Sequence, residues 1–289
     1  MRIVVTGGAG FIGSHLVKRL VSEGNAVTVI DNLSTGSLDN LEGVEFEFIN
    51  QNVVDPLPEI EHDALFHLAA PVSVVESLHN PKKYSDEILD GSVNTIYWSI
   101  ANGATSVVLV STAAVYGNTQ DLPIGEERKL LPMSPYAEAK LMSEGILEDL
   151  VKDFEIDGTV LRLFNVFGDG QRSDGGYLSV IPIFKNLWEQ NKPLTIRGDG
   201  NQTRDFIWVE DVVDALIRAQ LFGKGFNIYN VGSGEETTVN QIAESFGGEV
   251  KYVEPIEEPR RSLSCINKIK KDLNWTPTKS VENWIETIR

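Results

Sequence analysis

Cysteine is almost missing from this 289-residue chain, in which Cys265 stands alone. One thiol can neither close an internal disulfide nor supply a multi-cysteine metal site, so a reducing compartment, the cytosol, is expected. Long apolar runs are missing too, none approaching the ~20 residues of a membrane-spanning helix. The chain does not open on a basic segment followed by a cleavable apolar one, so secretion is not expected. Basic charge is scarce, with 25 Lys and Arg against 42 Asp and Glu and a formal net charge of −17. Nucleic acid and anionic membranes are therefore poor partners, because counterion-release binding needs clustered cations. An anionic small molecule stays open, since surface fields fade over ~10 Å and a few arginines set their own local potential. The four histidines show no metal-ligand spacing, and no metal is expected. No internal repeat or low-complexity linker breaks the chain, whose length suits one large domain or two packed lobes.

Glycine is where the chain becomes specific. The apolar run Arg2-Ile3-Val4-Val5-Thr6 reads as a buried strand and turns directly into Gly7-Gly8-Ala9-Gly10-Phe11-Ile12-Gly13. Such a junction holds a pyrophosphate. Gly7 permits the tight turn, Gly10 removes the side chain that would hold the backbone off the phosphates, and Gly13 lets a helix over 14–23 pack close on the sheet. The helix N-terminus adds free N–H groups and a partial positive charge. A second apolar run, Val27-Thr28-Val29-Ile30, ends in Asp31. A carboxylate there accepts from the adenosine ribose hydroxyls and repels a 2′-phosphate, which argues for NAD over NADP.

Beyond Asp31 the pattern predicts strands near 45–49, 64–68 and 107–110, helices over 85–102 and 135–154, and a sixth strand over 159–164. Alternation of this kind builds a Rossmann-type α/β fold, a doubly wound parallel sheet. After Gly168 the elements shorten around Gly170, Gly175, Gly176, Pro182, Gly198 and Gly200, which indicates a smaller α/β lobe. The expected division is 1–167 for NAD binding and 168–289 for the substrate lobe. The apolar run 226–231 suits a return to the main sheet, so the first domain takes back about 205–233.

Tyr136 and Lys140 are four residues apart in a helix that Pro135 opens, and they share one face. An ammonium beside a phenol favours the phenolate, a usable general base. A third member is expected at the carboxyl end of the fifth strand, where ligands bind in open α/β folds. Thr112 is the preferred hydroxyl to hydrogen-bond the reacting oxygen, with Ser111 as the alternate. His67 reads as a packed strand-end residue rather than a catalyst.

Together with Asp31-Asn32-Leu33-Ser34-Thr35-Gly36, His67-Leu68-Ala69-Ala70, Arg162-Leu163-Phe164-Asn165-Val166-Phe167-Gly168, Thr203-Arg204-Asp205-Phe206 and Asn230-Val231-Gly232-Ser233-Gly234, these motifs run nearly end to end. On them the chain resembles the extended short-chain dehydrogenase/reductase family, and within it the nucleotide-sugar epimerases of the UDP-glucose 4-epimerase type. The resemblance implies NAD contacts from Gly7, Gly10, Phe11, Ile12, Gly13, Asp31, Asn32, Ser34, Thr35 and Gly36. It adds Asn52, Val53, Leu68, Ala69, Ala70, Tyr136 and Lys140 to that set. It places Thr112 and Tyr136 on the sugar, Asn165 and Arg204 on the UDP-sugar diphosphate, and a further arginine there, Arg261 in preference to Arg260. Ser262 falls where a bulky tyrosine in some relatives restricts the sugar pocket, so a serine implies room for N-acetylated UDP-hexoses. Three positions depart from the family pattern: Asn52 replaces an aspartate at the adenine, Ile88 an asparagine near the cofactor, and Cys265 an aspartate.

The relatives' reactions begin alike, with a tyrosinate taking the sugar 4-hydroxyl proton as the C4 hydride passes to NAD⁺. They then diverge. Sugar 4,6-dehydratases place Asp-Glu directly after the loop threonine, and UDP-glucuronate decarboxylases place a glutamate in that loop. This chain has Ala113-Ala114. The expected activity is therefore NAD-dependent UDP-hexose 4-epimerisation through a 4-keto sugar. The alternatives are another sugar-modifying member (UDP-glucuronate epimerase, decarboxylase or dehydratase) and a non-catalytic NAD or nucleotide-sugar sensor. The resemblance also implies a homodimer through the helices over 85–102 and 135–154.

Overall fold

Short β-branched runs bounded by glycine and polar turns make the strands, and amphipathic stretches between them make the covering helices. The computed structural model describes residues 1–173, 179–255 and 259–289, so Gly175 and Gly176 lie outside the described residues. The first half runs β1 (Arg2–Thr6), α1 (Phe11–Ser22), β2 (Ala26–Asp31), β3 (Glu47–Asn50), β4 (Ala64–His67), α2 (Val74–His79), α3 (Pro81–Ser85), α4 (Gly91–Ala101), β5 (Ser106–Thr112), α5 (Pro135–Phe154) and β6 (Asp157–Leu163). The second half runs β7 (Asn165–Phe167), α6 (Val180–Glu189), β8 (Leu194–Arg197), β9 (Thr203–Arg204), β10 (Phe206–Trp208), α7 (Val209–Phe222), β11 (Phe226–Val231), β12 (Thr237–Thr238), α8 (Val239–Phe246), β13 (Val250–Val253), α9 (Asn267–Leu273) and α10 (Val281–Ile288).

Seven strands form one sheet in the order β11-β6-β5-β4-β1-β2-β3, every neighbouring pair parallel. Helices bury both faces, which is why the inner strands are apolar without alternation. On one face α1 and α7 pack Leu16, Val17, Val213 and Leu216 against Val5, Phe66, Val108 and Leu161. On the other, Ile96, Leu147 and Leu150 of α4 and α5 meet Val4, Leu65, Val107 and Val160. A separate core joins Phe184, Ile196, Phe246 and Trp284 around the two-stranded β8-β13 sheet. The strand order reverses between β1 and β4, and folds of this kind bind ligands at the carboxyl ends beside such a switch point.

Two helices differ from the sequence expectation. α1 starts at Phe11 rather than residue 14, because Gly10 is already the extended N-cap residue. The helix expected over 85–102 begins earlier as α2 and α3, then passes through one π turn, Asp86–Asp90, into α4. The wide turn accommodates Ile88, fully buried, whose carbonyl accepts from Ser92 Oγ at 2.6 Å. Single π turns inside helices are frequent at functional sites.

Candidate active site

The loop after β1 is shaped by what its glycines exclude. Gly7 has φ +71°, and a Cβ on it would stand 2.8 Å from the Ala69 nitrogen. At Gly13 a Cβ would fall 2.1 Å from the Gly7 carbonyl oxygen, so this glycine seats α1 on the turn itself rather than on the sheet. A Cβ on Gly10 would meet nothing within 4 Å except the Gly7 oxygen, at 3.2 Å, which leaves its outer side open. Gly10 contributes no side-chain cap, and the first backbone bond to it comes from Ser14 N at 3.0 Å. The N–H groups of Phe11, Ile12 and Gly13 thus precede the intrahelical ladder and face an approaching anion.

Asp31 ends β2 almost fully buried, and its carboxylate does more than the sequence indicated. Oδ2 accepts from Ala9 N at 3.0 Å and Oδ1 from Leu33 N at 2.8 Å, so it holds the glycine loop and the next turn together. Each oxygen keeps a second lone pair for a ribose hydroxyl. Leu33 sits at φ +56°, Asn32 Oδ1 accepts from Ser34 N at 3.0 Å, and Ser37 N donates to Ala9 O at 3.1 Å. A Cβ on Gly36 would stand 2.7 Å from the Ala9 carbonyl carbon. The turn carrying Asn32, Ser34, Thr35 and Gly36 therefore lies directly on the glycine loop. Asn52 Oδ1 accepts from Val54 N at 3.3 Å, and the carbonyl of buried Val53 accepts from Asn94 Nδ2 at 2.7 Å. An open glycine face, an uncapped helix end and a carboxylate beside them fit a dinucleotide with a free 2′-hydroxyl.

α5 forms where expected, with Pro135 in its first turn and Ser134 Oγ accepting from Ala137 N at 3.2 Å. Lys140 is buried, and its Nζ donates to Val110 O of β5 at 2.9 Å. Burial pulls the ammonium down to about 8, with the Glu144 carboxylate opposing. The Tyr136 ring meets Tyr84 edge-on, centroids 6.4 Å apart, in a cluster with Ile88, Ala139, Ala70 and Ala114. That cluster brings α5 together with the loops that follow β4 and β5. Thr112 ends β5 half-buried, and its Oγ1 accepts from Ala114 N at 3.1 Å while its hydroxyl hydrogen remains to be donated.

Ser111, the alternate hydroxyl, is committed elsewhere: buried, it donates to Glu144. Ile88 offers an apolar side chain packed on Tyr136 in place of an amide. His67 is neutral, its pKa pushed down to about 3 by burial and by Lys140 nearby. Ser92 directs its hydrogen to Ile88 O, so it accepts from His67 Nε2 at 3.1 Å, and His67 Nδ1 accepts from Thr6 at 2.7 Å. The histidine ties β1, β4 and α4 together, as its strand-end position indicated.

Asn165 and Arg204 come together at the β7, β9 and β10 edges. Asn165 Nδ2 donates to Asp205 O at 3.0 Å, and Arg204 Nη1 to Thr203 O at 2.8 Å. The buried Asp205 carboxylate accepts from Ser233 N at 2.6 Å, Gly234 N at 3.1 Å and Ser264 N at 2.9 Å. It thereby fixes the chain on either side of the β9-β12 pair. Arg261 reaches Glu236 with a bidentate contact, Nε at 2.9 Å, and Glu236 also accepts from Thr203 Oγ1 at 2.5 Å, next to Arg204. Arg260 pairs with Asp199 at 2.6 Å. Half-buried Ser262 precedes a parallel bridge in which Ile124 N donates to Leu263 O and Cys265 N to Ile124 O, both at 2.8 Å. The backbone at Cys265 thus carries this attachment without an aspartate.

Sequence reasoning missed one buried pair. Glu144 and Arg162 are each about 2% exposed and bonded through Arg162 Nη2 at 2.6 Å and Nε at 3.1 and 3.2 Å. The signals were present: an arginine inside an apolar strand, and a glutamate four residues past Lys140 on the same helix face.

A seven-stranded parallel sheet, a glycine-shaped loop leading into a helix N-terminus, a buried carboxylate beside it and a helix carrying buried Tyr136 and Lys140 define an NAD-binding enzyme of the extended short-chain dehydrogenase/reductase fold. The chain belongs to the NAD-dependent epimerase/dehydratase family, which residues 3–232 match. It is 34% identical over 294 residues to UDP-glucose 4-epimerase from Mycolicibacterium smegmatis, covering 96% of this chain and 94% of the relative. Similarity of 35% over 297 residues links it to UDP-glucuronic acid decarboxylase 1 from Xenopus tropicalis, covering 97% of this chain and 69% of that one. The solved UDP-N-acetylglucosamine 4-epimerase from Methanobrevibacter ruminantium M1, in complex with UDP-N-acetylmuramic acid, superposes with a TM-score of 0.93. It is 32% identical, over 99% of this chain and 97% of that one. No described helix is long and apolar enough to cross a membrane, and no described cluster of His, Cys, Asp or Glu suits a metal ion.

Proposed function

We propose that the protein interconverts UDP-hexoses epimeric at C4, with NAD held through each turnover. The observation that carries this reading is the pairing of an intact Tyr136-Lys140 helix face with a loop after Thr112 that presents no acid. Ala114 packs on Tyr136, and Ala113 packs in the neighbouring Val115 and Tyr116 cluster. Bound NAD supplies a reversible hydride acceptor at the sugar C4. Tyr136 Oη takes the proton of the 4-hydroxyl, Lys140 Nζ favours its phenolate, and Thr112 Oγ1 donates to the same oxygen. Asn165, Arg204 and Arg261 hold the diphosphate, an arginine fork matching phosphate oxygens in pairs. Gly7, Gly10, Gly13, Asp31 and the turn of Asn32, Ser34, Thr35 and Gly36 hold the cofactor, with Asn52, Val53, Leu68, Ala69 and Ala70 along its length.

Similarity to decarboxylases supplies the rival reading. Incubation with UDP-glucuronate is expected to release no carbon dioxide, whereas UDP-galactose is consumed. Carbon dioxide release with formation of UDP-xylose would replace the proposal.

We further propose a division near residue 167, with 205–233 returning to the first domain, and a cytosolic homodimer. The exposed edge pair of Tyr97 on α4 and Phe154 on α5, with exposed Met142, supports pairing through those helices.

Asp31→Ala is expected to weaken NAD at least about tenfold, because a charge-assisted acceptor contributes about 1.5–3 kcal/mol, and to narrow the preference over NADP. Parallel titrations with the two nucleotides check this, and tighter NADP binding by the wild type would refute the role of Asp31. Ser262→Tyr is expected to lower kcat/KM for UDP-N-acetylglucosamine at least about tenfold relative to UDP-glucose, because ring volume clashes with an acetamido group and spares a hydroxyl. Equal losses on both sugars, or no acetylated activity in the wild type, would remove Ser262 from that role.

A further inference from the structure

We infer that Glu144 is a positioning residue for Lys140: its buried carboxylate, one helical turn beyond the lysine, keeps the ammonium charged and seated against β5. The inference rests on Tyr136 and Lys140 being the acid-base pair.

Tyr136, Lys140 and Glu144 follow one another at intervals of four along α5, and all three are buried. That spacing stacks them on one face. Both charged members are tied to consecutive residues of β5. Lys140 Nζ donates to Val110 O at 2.9 Å, and Glu144 accepts from Ser111 Oγ. From β6, Arg162 clamps the same carboxylate with Nη2 at 2.6 Å and Nε at 3.1 Å. Arg162 is itself held, with Nη1 donating to Tyr116 Oη at 2.9 Å and the guanidinium 5.0 Å from the Tyr116 ring centroid. Tyr116 Oη in turn donates to Asn230 Oδ1 at 2.7 Å. Donors from two strands therefore hold the carboxylate in one position, one turn along the same helix face as the lysine.

Among the described residues, the groups that face Lys140 leave this carboxylate as its electrostatic support. On α5 they are Tyr136 and Glu144. Beyond Glu144 on β6 stands the cation Arg162, β4 presents the neutral His67, and α3 brings Tyr84 to the Tyr136 ring. Burial disfavours the ammonium and Glu144 opposes that loss. A buried ion pair is a costly way merely to fasten a helix to a sheet. Here it stands one turn behind the lysine whose charge the proposed chemistry requires.

The test reads Lys140 directly. Protein carrying ¹³C at lysine Cε is titrated by NMR, with the Lys140 signal assigned by its loss in Lys140→Met. In Glu144→Gln the Lys140 midpoint is expected to fall by about one pH unit, the usual scale for a nearby opposite charge. The alkaline limb of kcat/KM for UDP-galactose is expected to move down with it. Because Glu144→Gln strands a buried guanidinium, Glu144→Gln/Arg162→Met serves as a second variant, in which the midpoint also falls. A folded variant of either kind with the wild-type midpoint would overturn the inference, since a purely structural role does not move that titration. The titration needs no substrate, so a lowered midpoint supports the role of Glu144 even when the sugar chemistry proves different.

Discussion

Tyr136→Phe is expected to lower turnover of UDP-galactose by about 10²- to 10⁴-fold, the usual contribution of a general acid-base group, while binding of the UDP-sugar changes little. The ring packs in a cluster with Tyr84, Ile88 and Ala139, so phenylalanine keeps the shape of that cluster and of the helix. Diphosphate binding is assigned to Asn165, Arg204 and Arg261, which lie on other elements. Initial rates alongside calorimetric binding of UDP-galactose separate the two effects. Turnover near wild type would remove the phenolate from the reaction.

Lys140→Met is expected to cost turnover on the same scale and, unlike the tyrosine change, to reduce the NAD retained per chain. Its Nζ is tied to Val110 O at 2.9 Å and keeps two further N–H donors. On the present reading these meet the nicotinamide ribose and support the phenolate. The fold is expected to survive. With its pKa drawn from 10.5 to about 8 by burial, the lysine is less readily protonated in the folded than in the unfolded chain. Its charge therefore costs stability below about 8, and that cost shrinks as pH rises from the folded pKa toward 10.5. Methionine keeps the unbranched stem without the charge, so the variant is expected to melt no lower than wild type at neutral pH. Denaturation followed by quantification of released NAD checks the cofactor effect. Full occupancy with lost turnover would confine Lys140 to the tyrosine.

Much of this site was legible because its chemistry is written in local pattern. The strand, glycine loop and Asp31 are close in sequence, and Tyr136 and Lys140 are neighbours on one helix. α5 runs from Pro135 to Phe154 with the proline in its first turn, so its bounds were readable from the sequence. What escaped was set by distant partners. Nothing near Asp31 announces that its carboxylate also holds Ala9 N, and nothing near Ser111, the alternate to Thr112, announces that Glu144, 33 residues on, takes its hydroxyl. The π turn arises from packing Tyr84 and Ile88 under α5, which no helical period encodes. α7 went unread among the shorter elements after Gly168, although its inward Val212, Val213 and Leu216 complete the main core.

In the proposed reaction the sugar is oxidised at C4 only transiently, and the same hydrogen returns to the opposite face. The direct measurement is incubation of the purified protein with UDP-galactose deuterated at C4, without added nucleotide, followed by mass spectrometry and NMR of the product. The expected product is UDP-glucose with the deuterium retained at C4. Loss of the deuterium to solvent, or no UDP-glucose at all, would contradict it.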